Sequence, residues 1–345
     1  MAEVELVARN ATAAPRGGVV DRAVGRLEGL PGTAVPWIIG AVVVLGLAGH
    51  LVSWLAGETP LGESRLELLF PLPFLAFFLT LIVVLDSVAL SAFEEFRAAL
   101  DDPPETIGRL RADLTSIPDI PAAIAIIAFE ILNAGSGQDA SGAAAEPPMT
   151  RMVLFAFWFI TMGALALLIV HTLGQLRQVR RLLARVARVD LLDPGPVNAF
   201  ARLTAATAGG ILTIGVLFAV VDSKGNVSLV GIAGELLFAL IAVAFFVLPL
   251  RGVHRRLSAE KGRRLGDVNA RLRLTLDRIH GMVDADDRGR ADDLQKTETA
   301  LMAERDLYLH LSTWPWSTGT FRAIASAVML PLIIGVVLRL LSRVI

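Results

Sequence analysis

The stretch QLRQVRRLLARVAR, Gln175 to Arg188, decides the fold because it follows the apolar run Met152 to Leu173 without a break. An apolar run of about 20 residues is long enough to cross a bilayer. Lys and Arg collect at the cytoplasmic ends of such runs. This arginine-rich segment therefore fixes the direction in which the preceding run, and with it every other apolar run, crosses the membrane.

The composition is that of a membrane protein. Apolar residues make up 54% of the 345 residues and charged residues only 19%, which is more apolar surface than a soluble core can bury. The chain has no cysteine, so disulfides and thiolate metal sites are excluded. The net charge of -1 gives no indication of a nucleic-acid partner.

The sequence contains no GxSxG, P-loop, HExxH or dinucleotide-binding pattern. We therefore predict that the protein is not an enzyme and that it uses no cofactor. The segment DADDRGRADDLQ, Asp284 to Gln295, matches the calcium loop of helix-loop-helix proteins at Asp284, Asp286, Gly289 and Asp292. It carries Arg288 where an oxygen ligand is required and Gln295 where a bidentate Glu belongs. No metal site is predicted.

Seven apolar runs are candidates for membrane-spanning helices, and residues 1–34 before them form a predicted cytoplasmic leader. The third run is short and contains Glu130, so it is either a span or a buried or re-entrant helix. The runs are Val35–Leu55, Leu68–Ala92, Ile117–Asn133, Met152–Leu173, Leu203–Val221, Ser228–Leu250 and Phe321–Leu341.

Charge distribution favours seven spans. With seven, 27 of the 32 Lys and Arg residues lie on the cytoplasmic side, and without the third run only 21 do. The predicted fold is therefore an all-α, polytopic helical membrane protein. Its N-terminus is cytoplasmic, and residues 35–250 hold the first six spans.

Residues 251–312 are predicted to form a cytoplasmic antiparallel helical hairpin. Apolar residues recur at intervals of three and four along both halves, as in a coiled coil. The first stripe is Leu265, Val268, Leu272, Leu276, Ile279 and Val283, and the second is Leu294, Leu301, Tyr308 and Leu311.

Residues 175–189 are predicted to form an amphipathic basic helix. The arginines of this segment recur at helical spacing, opposite an apolar face. The basic face contacts anionic lipid headgroups at the inner leaflet, or it serves only to fix the topology. Its arginines are Arg177, Arg181, Arg185 and Arg188.

Residues 313–345 combine a Trp-Pro-Trp elbow with the last span. Trp314 and Trp316 stand directly before an apolar run, where indole rings usually anchor a helix at the membrane surface. A rigid elbow at this position is also able to transmit motion of the hairpin to the last span.

Ionisable residues inside the spans are the candidates for an ion path, since a charge near the middle of the bilayer costs at least about 2.5 kcal/mol. Counted along their helices, Glu130, Glu235 and His50 fall in the outer half of the membrane. Asp86 and His171 fall near the inner surface. Two such layers suit a proton or cation path, whereas the ordinary interpretation is that each group is hydrogen-bonded to a neighbouring helix or reaches an interface.

Three segments together resemble a family of bacterial multi-pass membrane proteins without an assigned function. The resemblance implies a shared fold and a bacterial inner-membrane location, and it carries over no activity and no functional residue. The segments are HTLGQLRQVRRLLARVARVDLLDPGPVNAFARLTA (His171–Ala205), LPLRGVHRRLSAEK (Leu248–Lys261) and STWPWSTGTFR (Ser312–Arg322).

Two functions remain open. The first is an oligomeric ion channel or channel-like conduit that the hairpin gates. The second is a non-catalytic scaffold or sensor whose hairpin recruits a cytoplasmic partner. A homo-oligomer is expected because the small residues of the fifth span, Ala205, Gly209 and Gly215 among them, favour close helix packing.

Overall fold

The computed structural model describes residues 22, 33–135, 146–185, 191–192, 195–222, 229–285, 288–316, 319, 322 and 325–326. The leader and the last predicted span, Phe321–Leu341, therefore lie almost entirely outside the described residues. The prediction of an all-helical chain is confirmed for the described part, which contains no strand.

The helices are named in chain order. The first group is α1 (Ala34–Leu55), α2 (Leu66–Leu69), α3 (Leu72–Phe96), α4 (Pro104–Thr115), α5 (Asp119–Gly135) and α6 (Pro148–Arg185). The second group is α7 (Gly195–Asp222), α8 (Leu229–Val247), α9 (Arg251–Asp284) and α10 (Arg288–His310).

Five helical stretches within the described residues are long and apolar enough to cross a membrane. A sixth exists if Leu236–Val247 and Arg251–Asp284, which meet at 45°, form one bent span. The structure is thus compatible with a multi-pass membrane protein, with five to six candidate spans in the described part. The five are Ala34–Leu55, Leu66–Ala99, Pro104–Leu132, Pro148–Arg185 and Asn198–Leu217.

The exposed faces of α1 and α5 are strongly apolar. On α5, the exposed side chains Ile120, Ile124, Ile127 and Ile131 follow one another at helical spacing. On α1, Val43, Leu47 and Leu51 are exposed. A water-soluble protein rarely exposes a continuous apolar surface of this kind, whereas lipid chains solvate it without cost.

Prolines place two breaks in the helical path. Pro118 ends the gap of three residues between α4 and α5, and Pro249 lies in the turn between α8 and α9. Proline lacks the backbone N–H that a continuing helix needs and clashes with the preceding turn. The first break leaves the terminal carbonyl groups of α4 inside a candidate span.

The chain divides into two compact units. Unit 1 comprises Met1–Glu94 and Asp101–Val179, and unit 2 comprises Glu95–Leu100 and Arg180–Ile345.

Within unit 1, α1 approaches α6 closely at Gly49. A Cβ atom built on Gly49 would lie 2.5 Å from Cζ of Phe157 and 2.9 Å from Cγ1 of Val153. A methyl group at this position would force the side chains of Phe157 and Val153 to shift. By contrast, a Cβ atom on Gly40 of the same helix meets nothing within 4 Å.

Within unit 2, α7 packs against α8 through small side chains. Ala208 and Leu212 of α7 contact Ala242 and Phe246 of α8 in one buried cluster. Gly215 lies against Phe238, with the built Cβ atom at 3.0 Å. Close packing therefore occurs at Gly215, whereas a Cβ atom built on Gly209 meets nothing within 4 Å.

The helices α9 and α10, also in unit 2, pack against each other. The amide oxygen of Asn269 accepts a hydrogen bond from Arg305 Nε at 3.1 Å. The ammonium group of Lys261 donates to the carbonyls of Leu309 and Leu311, both at 2.8 Å. Of the two apolar stripes, Val268, Leu301 and Tyr308 are buried and Val283 is exposed.

We predict that Gly49→Ala lowers the stability of the purified protein by about 1–3 kcal/mol, because overpacking forces Phe157 and Val153 away from α1. Thermal unfolding in detergent measures this effect. Gly40→Ala is the matched control and should leave the melting temperature unchanged or raise it slightly. Equal melting temperatures for the two variants would contradict the close approach of α1 and α6.

Candidate functional site

Two of the predicted ionisable residues lie side by side in the interior of unit 1. Asp86 is on α3 and His171 is on α6, each with 1% of its surface exposed. Nε2 of His171 lies 3.1 Å from Oδ1 of Asp86. Neither side chain reaches solvent. The predicted depth of both residues, near the inner surface of the membrane, remains a prediction.

Gln175 completes this group and was not among the predicted site residues. Its amide nitrogen donates to Asp86 Oδ1 at 3.3 Å, to the Leu85 carbonyl at 3.5 Å and to the Leu114 carbonyl at 3.4 Å. With 2% of its surface exposed, Gln175 is as deeply buried as the two titratable residues. We call Asp86, His171 and Gln175 the buried polar cluster.

Several atoms of the buried polar cluster have no hydrogen-bond partner among the described residues. They are Oδ2 of Asp86, Oε1 of Gln175 and both ring nitrogens of His171. Nε2 of His171 is close enough to Asp86 Oδ1 for a hydrogen bond, at 3.1 Å, but the geometry is not that of a hydrogen bond. Because buried polar atoms are normally paired, four unpaired atoms on these three side chains make the buried polar cluster the candidate site.

The end of a helix also faces the cluster. Leu114 belongs to the last turn of α4, whose C-terminal carbonyl groups have no partner within the helix. Gln175 reaches one of these carbonyls. The helix dipole adds partial negative charge at this end, so the carboxylate, the amide oxygen and the helix terminus together give the site a negative potential.

The two predicted outer carboxylates are not brought together by the described structure. Glu130 is half-buried on α5, and its Oε1 has no partner among the described residues. Glu235 belongs to α8 in unit 2, and its side chain lies outside the described residues. The prediction that they share one layer remains a prediction.

His50, the fifth predicted residue, is a fully bonded core histidine. Its Nε2 accepts a hydrogen bond from the backbone N–H of Arg65 at 3.2 Å. Its Nδ1 must then carry the proton, which it donates to the Gly46 carbonyl at 2.9 Å. Since both nitrogens are occupied in the neutral form, His50 serves the structure of unit 1 and offers no open position to an ion.

Glu58 organises a second polar network in unit 1, in the loop after α1. Its carboxylate accepts hydrogen bonds from the backbone N–H groups of Met149 and Thr150 at 2.9 and 2.8 Å, and from the Thr150 hydroxyl at 2.9 Å. These two N–H groups belong to the first turn of α6, where donors lack partners within the helix. A residue some 90 positions upstream therefore caps α6.

The bonds made by Glu58 lower its pKa. Burial acts in the opposite direction and is the largest single effect. The N–H groups of Met149 and Thr150, the Thr150 hydroxyl and the charge of Arg65 together outweigh it.

The basic segment is helical as far as Arg185, the last of its residues that the structure describes before Arg188. It forms the last turns of α6, where Arg177, Arg181 and Arg185 are exposed while Leu176 and Val179 are buried. Arg188 lies outside the described residues. In unit 2, Arg256 of α9 donates to the carbonyls of Leu183 and Ala184 at 3.2 Å and so caps the end of α6.

The Trp-Pro-Trp elbow forms part of a stack of four rings in unit 2. His254 lies 3.8 Å from Trp314, Trp314 lies 4.3 Å from Trp316, and Trp316 lies 4.9 Å from Phe246, measured between ring centres. His254 Nδ1 also donates to the Thr313 carbonyl at 3.0 Å. The aromatic stack therefore fastens the elbow to the bend between α8 and α9.

Comparison of the chain with protein-family models, with curated proteins and with solved structures finds no match. The assignment of a site therefore rests on the residues of this chain.

We predict that the network around Glu58 stabilises the protein above about pH 4.3, the ordinary pKa of a glutamate. Because the folded pKa is lower, this contribution is lost as the pH falls through the folded pKa. Glu58→Gln should lower the melting temperature at pH 7, and the difference from the unchanged protein should disappear in acid. Glu63→Gln, an exposed residue of the same loop, is the control. A pH-independent difference would contradict the role of the carboxylate.

Proposed function

We propose that the protein conducts protons or monovalent cations across the bacterial inner membrane as an oligomeric, channel-like conduit. In this proposal the chain crosses the membrane seven times, its N-terminus is cytoplasmic, and α9 and α10 form a cytoplasmic hairpin. The buried polar cluster is the observation that carries the proposal.

The free-energy cost of burying the Asp86 carboxylate supports a functional role for the buried polar cluster. A carboxylate in the interior of a membrane bundle is expensive unless it is paired, and such residues usually belong to ion pathways or proton relays. Among the described residues Asp86 has no Arg or Lys partner. An apolar side chain at this position would pack without that cost.

Burial and adjacency support Asp86 and His171, rather than Glu130, Glu235 and His50, as the principal ion-binding residues of the proposed conduit. Asp86 and His171 are adjacent and almost completely buried. Glu130 is half-buried, and His50 is satisfied by two backbone groups. We therefore assign the central role to Asp86 and His171, and a secondary role to Glu130.

The aromatic stack supports gating by the hairpin. Motion of α9 and α10 reaches Trp314 directly, because Ser312 to Trp316 follow α10 and Trp314 stacks on His254 of α9. The last predicted span begins at Phe321, a few residues further along the chain. A displacement of the hairpin would therefore pull on that span.

Flux of protons and monovalent cations into liposomes that contain the purified protein tests this proposal. Asp86→Asn keeps the shape of the side chain and removes its charge, so we expect flux to fall at least about tenfold, which corresponds to about 1.4 kcal/mol in the barrier. Glu130→Gln with Glu235→Gln is the comparison variant, with a smaller expected loss. Absence of flux in the unchanged, folded protein would refute the conduit.

One observation favours the scaffold as a second candidate. The helix pair α9 and α10 exposes several large apolar side chains in unit 2, among them Leu274, Met302 and Leu307. Apolar side chains that remain exposed on a helix pair are a common feature of surfaces that bind another protein.

Deletion of Asp267 to Leu309, with a short glycine linker, separates the two candidates. A conduit gated by the hairpin should retain flux and lose its regulation. A scaffold should show no flux with or without the deletion, and a protein that co-purifies stoichiometrically should be lost. Leu274→Ser with Met302→Ser is the milder variant, and retention of that protein by this variant would contradict the apolar contact.

A further inference from the structure

The described acceptor atoms of the buried polar cluster outnumber the donors that face them. Gln175 contributes one amide nitrogen, which already faces Asp86 and two carbonyls. Oδ2 of Asp86 and Oε1 of Gln175 are acceptors without partners. A neutral imidazole has one N–H donor and one acceptor nitrogen, and neither ring nitrogen of His171 has a hydrogen-bond partner among the described residues, so the ring adds a third acceptor.

The same place carries one negative charge that no described cation offsets. Asp86 is the one carboxylate of the cluster, and no Lys or Arg side chain among the described residues pairs with it. The carbonyl end of α4 adds partial negative charge through Leu114. A single bound positive charge would neutralise the site and engage its acceptors.

The chemistry of the ligands distinguishes among cations. Carboxylate, amide and carbonyl oxygens are hard donors, and Ca²⁺ sites usually supply several carboxylates. One carboxylate suits a monovalent ion. Interrupted membrane helices characteristically present unwound carbonyls and helix C-termini to Na⁺, and the break at Ser116 to Pro118 gives α4 such an end within a candidate span.

We infer that Asp86, Gln175, His171 and the carbonyl end of α4 form a binding site for a Na⁺ ion. The inference rests on the proposed function, because it names the ion that the conduit accepts. Asp86 supplies the charge. Gln175 supplies its amide oxygen and holds the Asp86 carboxylate against the end of α4.

Thermal unfolding of the full-length protein in detergent tests the site without any flux measurement. NaCl replaces N-methyl-D-glucamine chloride at constant ionic strength and pH, and intrinsic tryptophan fluorescence reports unfolding. A ligand that binds only the folded state stabilises it, so we expect a saturable rise in melting temperature of about 3 °C or more. KCl should produce the same rise only at higher concentration.

Three variants locate the effect. Asp86→Asn should abolish the Na⁺-dependent rise, and Gln175→Met should raise the half-maximal Na⁺ concentration at least about tenfold. Glu63→Gln, which changes an exposed loop carboxylate outside the proposed ion path, should leave that concentration unchanged. No rise in the unchanged protein, an equal response to K⁺, or an unaltered rise in Asp86→Asn would overturn the inference. If Asp86→Asn does not fold, the inference is overturned when Gln175→Met has the same half-maximal Na⁺ concentration as the unchanged protein.

The two proposals fail separately. If the protein conducts ions but Na⁺ does not raise its melting temperature, the conduit stands and the Na⁺ site is refuted. If Na⁺ raises the melting temperature but the protein conducts no ions, the Na⁺ site stands and the conduit is refuted.

Discussion

The carboxylate of Asp86 is buried in the interior of unit 1, whose helices α1 and α5 expose apolar side chains, and this burial is the constraint that the side chains around it must meet. A charge removed from water must be neutralised, hydrogen-bonded or reached by an ion. His171 and Gln175 meet this requirement in part, and they leave acceptor atoms of the same carboxylate and amide unpaired. This partial satisfaction distinguishes the buried polar cluster from His50, whose ring is fully bonded.

The backbone contributes to the cluster as much as the side chains do. Pro118 prevents α4 from continuing into α5, so the carbonyl of Leu114 is available to Gln175 inside unit 1. At the other end of the long helix α6, Glu58 caps the first turn from a distant loop. α6 is therefore held at its beginning by Glu58 and carries His171 and Gln175 two-thirds of the way along its length.

Much of this arrangement follows from the sequence, because hydrophobic runs and charge bias are local properties of the chain. The all-helical fold, most of the apolar helices and the exposed arginines of the basic helix were predictable for that reason. The pairing of Asp86 with His171 was not, since it depends on how α3 and α6 pack. Gln175 has a local signal, as it follows His171 by four residues and so shares its helix face, but an amide does not titrate and therefore is not among the ionisable residues of the spans.

Accessibility of the buried polar cluster to ions tests the central claim most directly. The chain has no cysteine, so Thr172→Cys, a buried position one turn before Gln175, introduces a single thiol. Its reaction with small cationic and anionic thiosulfonates of similar size is measured in liposomes. If the cluster is a site of negative potential that ions reach, the cationic reagent should modify the thiol at least about tenfold faster than the anionic one. Equal rates, or no reaction with either reagent in folded protein, would contradict that claim.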